Sequence, residues 1–187
     1  MNISFSRNRK SNSFFVLLLI LICYGNVWGQ TYEYPVPQHG DHLRTFNAEE
    51  RHQLFQIPEE LLPTSSTKEL IKLYVKNDQY CGLVYAYNNK QDAFNRIYKL
   101  FNGLRELMKR DDLAKSVLAY YQEMDPYALA PSKISDSWER GLFFSKFDYI
   151  ELLLSQEALI DQFSEEELID LLKELLKKHD QIISTGY

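Results

Sequence analysis

Apolar residues recur with a helical period through most of the chain after residue 47. Their stripes have members at i, i+3, i+4 and i+7, the spacing of one face of an α-helix. The stripes are Leu70 to Val75, Tyr80 to Tyr87, Phe94 to Met108, Leu113 to Tyr121, Phe143 to Leu154 and Leu168 to Leu176. Strict alternation, typical of a half-buried strand, never lasts more than a few residues. The pattern predicts an all-α fold, either an irregular bundle or stacked hairpins of short capped helices.

Helix start and stop signals separate these stripes. Ser66 with Glu69, and Ser164 with Glu167, fit the capping box that satisfies the first free amides of a helix. Asn88-Asn89 and Asp125-Pro126 interrupt the pattern between stripes. The Phe94 to Met108 stripe predicts one helix with Gly103 inside it, which costs about 1 kcal/mol relative to alanine. We therefore expect a kink at Gly103 or another backbone packed closely against it.

The last stripe predicts the most regular helix. Its apolar face is wide, and acidic residues stand at its start. Lys177 and Lys178 are expected near its end, where positive charge suits the helix dipole.

The N-terminus has the three-part order of a secretory signal peptide. Basic residues at 7, 9 and 10 precede an apolar run from Phe14 to Cys23, and Val27 and Gly29 occupy the −3 and −1 positions before Gln30. The run covers ten residues, whereas a helix needs about 20 to cross a bilayer. We predict cleavage of residues 1–29, export to the periplasm, cell surface or medium, and no membrane span afterwards. Retention as an anchor is the alternative. Lipid attachment at Cys23 is disfavoured because the bulky Ile22 precedes it.

The remaining chain divides into an arm and a domain. Residues 30–47 contain Pro35 and Pro37, which favour extended backbone. We expect this arm either to pack on the domain or to act as a spacer. Residues 48–187 form the predicted helical domain.

Charge and cysteine content exclude some classes of function. Signal cleavage removes three basic residues and no acidic ones, which changes the formal net charge from −5 to −8. An acidic chain repels phosphate backbones, so nucleic acid is not an expected partner. Cys81 alone remains after cleavage and cannot form an internal disulfide. We expect it to be a buried, apolar-like residue.

Candidate catalytic and metal-binding residues are few. His39 and His42 flank Gly40-Asp41 and are the only candidate metal ligands, but the segment specifies no geometry and we predict no metal site. Carboxylate pairs stand at helix starts, where the dipole accounts for them. The sequence contains no catalytic, nucleotide-binding or cofactor motif. We predict no cofactor, and the balance favours a non-enzymatic role.

Tyrosine is abundant, with 13 in the chain. Core packing explains most of those in the middle third, because they lie on the helical stripes. Tyr85, Tyr120 and Trp138 fall off the main stripes and are the candidates for an exposed contact patch, since aromatic residues are enriched at binding surfaces.

Several segments carry a family resemblance. They are Ser66 to Ile71, Val84 to Asn89, Phe101 to Asp111, Tyr121 to Pro126 and Phe147 to Leu154. These segments resemble uncharacterised exported all-helical bacterial proteins over residues 66–176. The resemblance implies a helical exported domain and supplies no catalytic residue.

Three functions are compatible with these features. The first is a non-enzymatic protein-interaction or scaffold module with a protein partner. The second is a hydrolase that uses carboxylates, or His39 and His42, in a cleft. The third is binding of a small ligand or glycan by exposed tyrosines.

Overall fold

Nine α-helices and three short 3-10 helices form the part of the chain that the structure describes. This computed structural model describes residues 32–35, 41–129 and 137–186. The α-helices are α1 Ala48–Leu54, α2 Thr67–Lys76, α3 Asp78–Cys81, α4 Lys90–Leu100, α5 Asn102–Leu107, α6 Leu113–Glu123, α7 Ser137–Leu154, α8 Glu157–Ile160 and α9 Glu165–Ser184. The 3-10 helices are Asp41–Thr45, Gly82–Tyr85 and Pro126–Leu129. The described residues contain no strand, which confirms the predicted all-α fold.

The chain divides into Met1–Tyr32 and Glu33–Tyr187. The predicted signal peptide at 1–29 lies outside the described residues. Within the described ranges, no helix combines the length and apolarity needed to cross a membrane.

Both predicted capping boxes are present. Ser66 and Ser164 accept from the backbone amides of Glu69 and Glu167, and each glutamate accepts from the serine amide in return. The structure adds a third box that the sequence analysis did not identify, in which Asn47 and Glu50 begin α1. Helix initiation is therefore encoded locally at three places in the chain.

The prediction of one helix through Phe94 to Met108 is wrong at Phe101. That residue is extended, with φ −101° and ψ 116°, and separates α4 from α5. The cause is a long-range contact of the buried Asn102. Its side chain accepts from the Ile57 amide at 3.0 Å and donates to the Ile57 carbonyl at 2.6 Å. The break places Asn102 where its side chain satisfies the backbone amide and carbonyl of Ile57.

Gly103 follows this break in α5. A Cβ at Gly103 would come within 2.7 Å of Ile57 Cδ1 and 2.5 Å of Phe101 Cζ. Neither predicted alternative is found at Gly103: side chains rather than another backbone approach it closely, and the bend lies two residues earlier, at Phe101.

The core lies between α2 and α7, with α5 and α6 packed against α2. Tyr74 of α2 and Tyr149 of α7 stack with ring centroids 3.9 Å apart, and the Tyr74 hydroxyl donates to the Tyr149 carbonyl at 3.2 Å. Cys81 is fully buried beside Ser145, with its Sγ 3.2 Å from Ser145 Oγ. This confirms its predicted packing role.

The described part of the arm packs on α2. Tyr34 donates to the Leu73 carbonyl at 3.0 Å, and Glu33 pairs with Lys76 at 2.8 Å. Residues 41–45 form a 3-10 helix rather than extended backbone, and Leu43 within it is buried. These residues of the arm therefore pack on the domain, which is one of the two roles expected for it.

The prediction that Lys177 and Lys178 lie near the end of the last helix is wrong. Helix α9 continues to Ser184, so both lysines are in its interior. Lys178 is buried and donates to the carbonyls of Gln122, at 3.1 Å, and Met124, at the end of α6. Its charge therefore complements the C-terminus of a neighbouring helix and not that of its own.

Candidate functional site

Helix α9 exposes four of its eight apolar residues. Leu172 is 60% exposed, Leu176 67%, Ile183 59% and Ile169 48%, whereas Leu171 is buried. Scattered exposed apolar residues are normal, but a contiguous set on one helix marks an interaction surface. A wide apolar stripe on a helix is usually covered by the core, and on α9 much of the stripe is not.

The exposed positions follow a heptad spacing. Ile169, Leu172, Leu176, His179 and Ile183 are separated by three, four, three and four residues. This is the a and d pattern through which one helix packs against another along its length. We call these five positions the α9 seam.

A groove runs between α9 and α7, and three positions of the α9 seam line it, namely Leu172, Leu176 and His179. One part has a volume of about 530 Å³ and is floored by Phe144 and Phe147 of α7. The adjoining part has a volume of about 440 Å³ and extends to Leu154 and Ile160. Leu172 and Leu175 border both parts. We call this the α7–α9 groove.

Two carboxylates interrupt the apolar floor of the α7–α9 groove. Asp148 and Glu151 lie about one turn apart on α7. The Tyr121 hydroxyl donates to Glu151 at 2.6 Å, and Asp148 accepts from Tyr85 and pairs with Lys90 at 3.5 Å. Burial raises the pKa of the Glu151 carboxyl, the hydrogen bond from Tyr121 lowers it, and the nearby Asp148 carboxylate raises it. His179 of the α9 seam faces the same space.

The structure places the predicted contact residues in separate environments. Tyr85 ends the 3-10 helix Gly82–Tyr85, is 59% exposed and donates to Asp148, so it stands beside the groove. Tyr120 of α6 is half-buried, and desolvation raises the pKa of its hydroxyl. The side chain of Trp138 lies outside the described residues. Its backbone begins α7, where the sequence predicted a loop margin.

The other tyrosines of the middle third do not all pack in the core. Tyr80 and Tyr121 are buried, as expected from their stripes. Tyr87, Tyr98 and Tyr127 are exposed by 37%, 41% and 45%. Core packing therefore accounts for only part of this group.

The candidate metal ligands are not settled by the structure. His39 and the side chain of His42 lie outside the described residues, and the backbone of His42 is in the 3-10 helix Asp41–Thr45. In the ranges that are described, no three His, Cys, Asp or Glu side chains come together as metal ligands would. The thiol of Cys81 is enclosed, and burial raises its pKa to about 11.

The sequence analysis did not identify Glu151, Phe144 or the α9 seam as site residues. The three-four spacing of the seam is present in the sequence, but spacing alone does not show that this face is exposed. Nothing in the sequence places Glu151 beside Leu172, because that proximity arises from the packing of α7 and α9.

Comparisons of the chain with models of protein families, with curated proteins and with solved structures find no match.

Proposed function

We propose that this protein is a non-enzymatic interaction module that acts after export and holds an amphipathic α-helix of a protein partner in the α7–α9 groove. The observation that carries the proposal is the exposed α9 seam, which borders a groove floored by Phe144 and Phe147. Helix-in-groove recognition uses apolar anchors at this spacing.

The chemistry of the groove supports a narrower description of the proposed partner. Heptad positions on α9 match apolar residues at three-four spacing on an incoming helix. Glu151 lies on the groove floor with Tyr121 as its hydrogen-bond donor, while Lys90 already pairs with Asp148. A lysine or arginine on the partner opposite Glu151 would complement the remaining acidic group. The proposed ligand is an apolar helix that carries one basic residue.

A synthetic heptad peptide with leucine at its core positions and one central lysine tests this proposal. We expect saturable binding by fluorescence anisotropy, weakened at least about tenfold in Leu172→Ser and in Leu176→Ser, since each leucine would be buried against the peptide. Tyr98→Ser is the matched control, because Tyr98 is similarly exposed but lies on α4. It should bind the peptide as the unmodified protein does.

Peptide variants separate the two parts of the proposal. Replacing the central lysine by glutamate should weaken binding to the unmodified protein more than to Glu151→Gln. Equal binding of a proline-containing peptide of the same composition would contradict helix recognition. Sedimentation that shows a dimer, lost in Leu176→Ser, would assign the groove to a second copy of this chain instead.

Export is a separate part of the proposal, supported by the N-terminal pattern. We expect the extracytoplasmic protein to begin at or near Gln30, because small or short residues precede it at −3 and −1. Mass spectrometry of the protein recovered from the envelope or medium measures this directly. An intact N-terminus there would instead support a retained anchor.

A hydrolase is the second candidate, and Glu151 is the observation that favours it. Glu151 has a raised pKa and lies beside Asp148, and general acid–base catalysis uses pairs of carboxyl groups of this kind. Turnover of chromogenic glycosides and esters that disappears in Glu151→Gln would support this function. Retained peptide binding without turnover would support the interaction module.

A further inference from the structure

A second cleft lies beside the C-terminal half of α4, where Arg96 and Leu100 line it. It is bordered by α1, α3 and α4 and has a volume of about 460 Å³. Its apolar wall includes Phe55, Leu83 and the ring of Tyr80, and its polar groups include Arg51, His52 and Arg96. None of these residues borders the α7–α9 groove, so this cleft is independent of the proposed function.

Hydrogen bonds fix the orientation of the His52 ring. Gln56 Nε2 donates to the Tyr80 hydroxyl oxygen at 2.8 Å, and that hydroxyl lies 2.8 Å from His52 Nδ1. Burial raises the pKa of Tyr80 to about 12, so the hydroxyl keeps its proton. Because the Gln56 amide already donates to the hydroxyl oxygen, the Tyr80 proton is directed to Nδ1. We assign the ring N–H of His52 to Nε2.

The cleft is consequently rich in hydrogen-bond donors. Arg51 and Arg96 both line it, and within the described part of the chain neither forms an ion pair. The Nε2–H of His52 adds a third donor. The one carboxylate on the lining, Glu49, accepts from Gln53 at 3.0 Å. Two unpaired cations beside an aromatic wall are unusual for a chain of net charge −5.

We propose that this cleft binds a small organic carboxylate with an apolar body. The carboxylate would lie between Arg51 and Arg96, since a guanidinium presents a planar pair of donors that matches carboxylate geometry. The apolar body would contact Tyr80, Phe55 and Leu83. A donor-rich end and an apolar wall within one concave site are the usual features of a small-molecule site.

The test uses phenylpropionate as the probe and the His52 ring signals as the local readout. We expect titration of the full chain to move the NMR signals of the His52 ring while those of His179, in the α7–α9 groove, stay fixed. Affinity should fall at least about tenfold in Arg51→Gln and in Arg96→Gln, because each loses a charge-assisted hydrogen bond. Both arginines are exposed, so these variants are expected to remain folded.

Lys99→Gln is the matched control, since Lys99 follows Arg96 by three residues on α4 and does not line the cleft. It should bind phenylpropionate with unchanged affinity, and equal weakening in this variant would overturn the assignment to the cleft.

Phenylpropionamide has the same apolar body without the charge and should not bind; binding equal to that of the acid would overturn the role of the arginines. Inorganic phosphate binding as tightly as phenylpropionate would overturn the role of the apolar wall, and His52 signals unmoved at millimolar probe would overturn the proposal as a whole.

Discussion

The two sides of α7 carry similar apolar side chains that are covered in different ways. Ile150 and Leu153 are fully buried on the side that faces the core. Phe144 and Phe147 are also buried, at 4% and 1% exposed, but they line the α7–α9 groove, whose opposite wall includes α9 leucines that are themselves more than half exposed. Apolar content therefore does not distinguish a core face from a binding face. The difference lies in how the neighbouring helix is held.

Polar contacts hold α9 along one edge. Lys115 of α6 pairs with Glu167 at 3.1 Å, Lys178 donates to the end of α6, and Tyr127 bonds Ser184 at 3.0 Å. Such directional contacts fix a helix at a distance from its neighbour, whereas apolar contacts alone would let the two surfaces close. The α7–α9 groove stays open because α9 is attached at its edge and not through its seam.

The strongest test of this comparison replaces one leucine in the core and one leucine beside the groove with alanine. Leu153→Ala should lower the free energy of unfolding by about 3 kcal/mol, because it leaves a cavity in a fully packed site. Leu176→Ala should change it by less than about 0.5 kcal/mol, since that side chain is 67% exposed. Urea denaturation followed by circular dichroism measures both. Equal losses would mean that the groove side is part of the core.

Thiol labelling compares the same two sides kinetically. In Leu176→Cys of the chain that begins at Gln30, and so lacks Cys23, the introduced thiol lies in open solvent, while Cys81 is buried with its pKa raised from 9.0 to about 11. At neutral pH that pKa alone leaves about a hundredfold less thiolate on Cys81. We expect two phases of reaction with iodoacetamide, differing in rate by at least about a hundredfold. A single fast phase in which both thiols react would show that the structure around Cys81 opens readily.

The anchor of α9 is tested by Lys178→Met. This change keeps the aliphatic stem but removes the donors to Gln122 and Met124, and should cost about 2 kcal/mol. Lys177→Met, one residue earlier and 58% exposed, is the control and should be within about 0.5 kcal/mol of the unmodified protein. Hydrogen exchange should accelerate in α9 before it does in α7. Uniform acceleration in both helices would contradict an edge attachment.

The smallest effect is expected for Glu151→Gln, and it depends on pH. The folded state raises the pKa of this carboxyl, so protonated Glu151 favours folding and ionised Glu151 opposes it. The favourable contribution of the protonated form is present below the ordinary carboxyl pKa and is lost as the pH rises through the raised pKa. At pH 7 the variant should be more stable than the unmodified protein by less than about 1 kcal/mol, since the residue is only partly buried. Below the ordinary carboxyl pKa the two should have the same stability. A variant that is less stable at pH 7 would mean that the bond with Tyr121 outweighs burial.

Local signals made part of the fold predictable. Ser66, Ser164 and Asn89 begin helices through contacts within three residues, so short-range chemistry suffices to place them. The break at Phe101 was not predictable, because it depends on Asn102 meeting Ile57, 45 residues away in the chain. Of the candidate site residues, Tyr85 was identified as exposed, whereas Glu151 was not identified at all.

The amino-acid order by itself determined that this protein is all-α, where three of its helices begin, and that Cys81 would be buried as an apolar residue. These features follow from periodicity, capping and hydrophobicity, which act over a few neighbouring positions. Only the tertiary structure decided which side of each apolar helix is covered and where Lys178 directs its charge. Both depend on the distance and orientation of helices that are far apart in the chain, and no local pattern encodes those quantities.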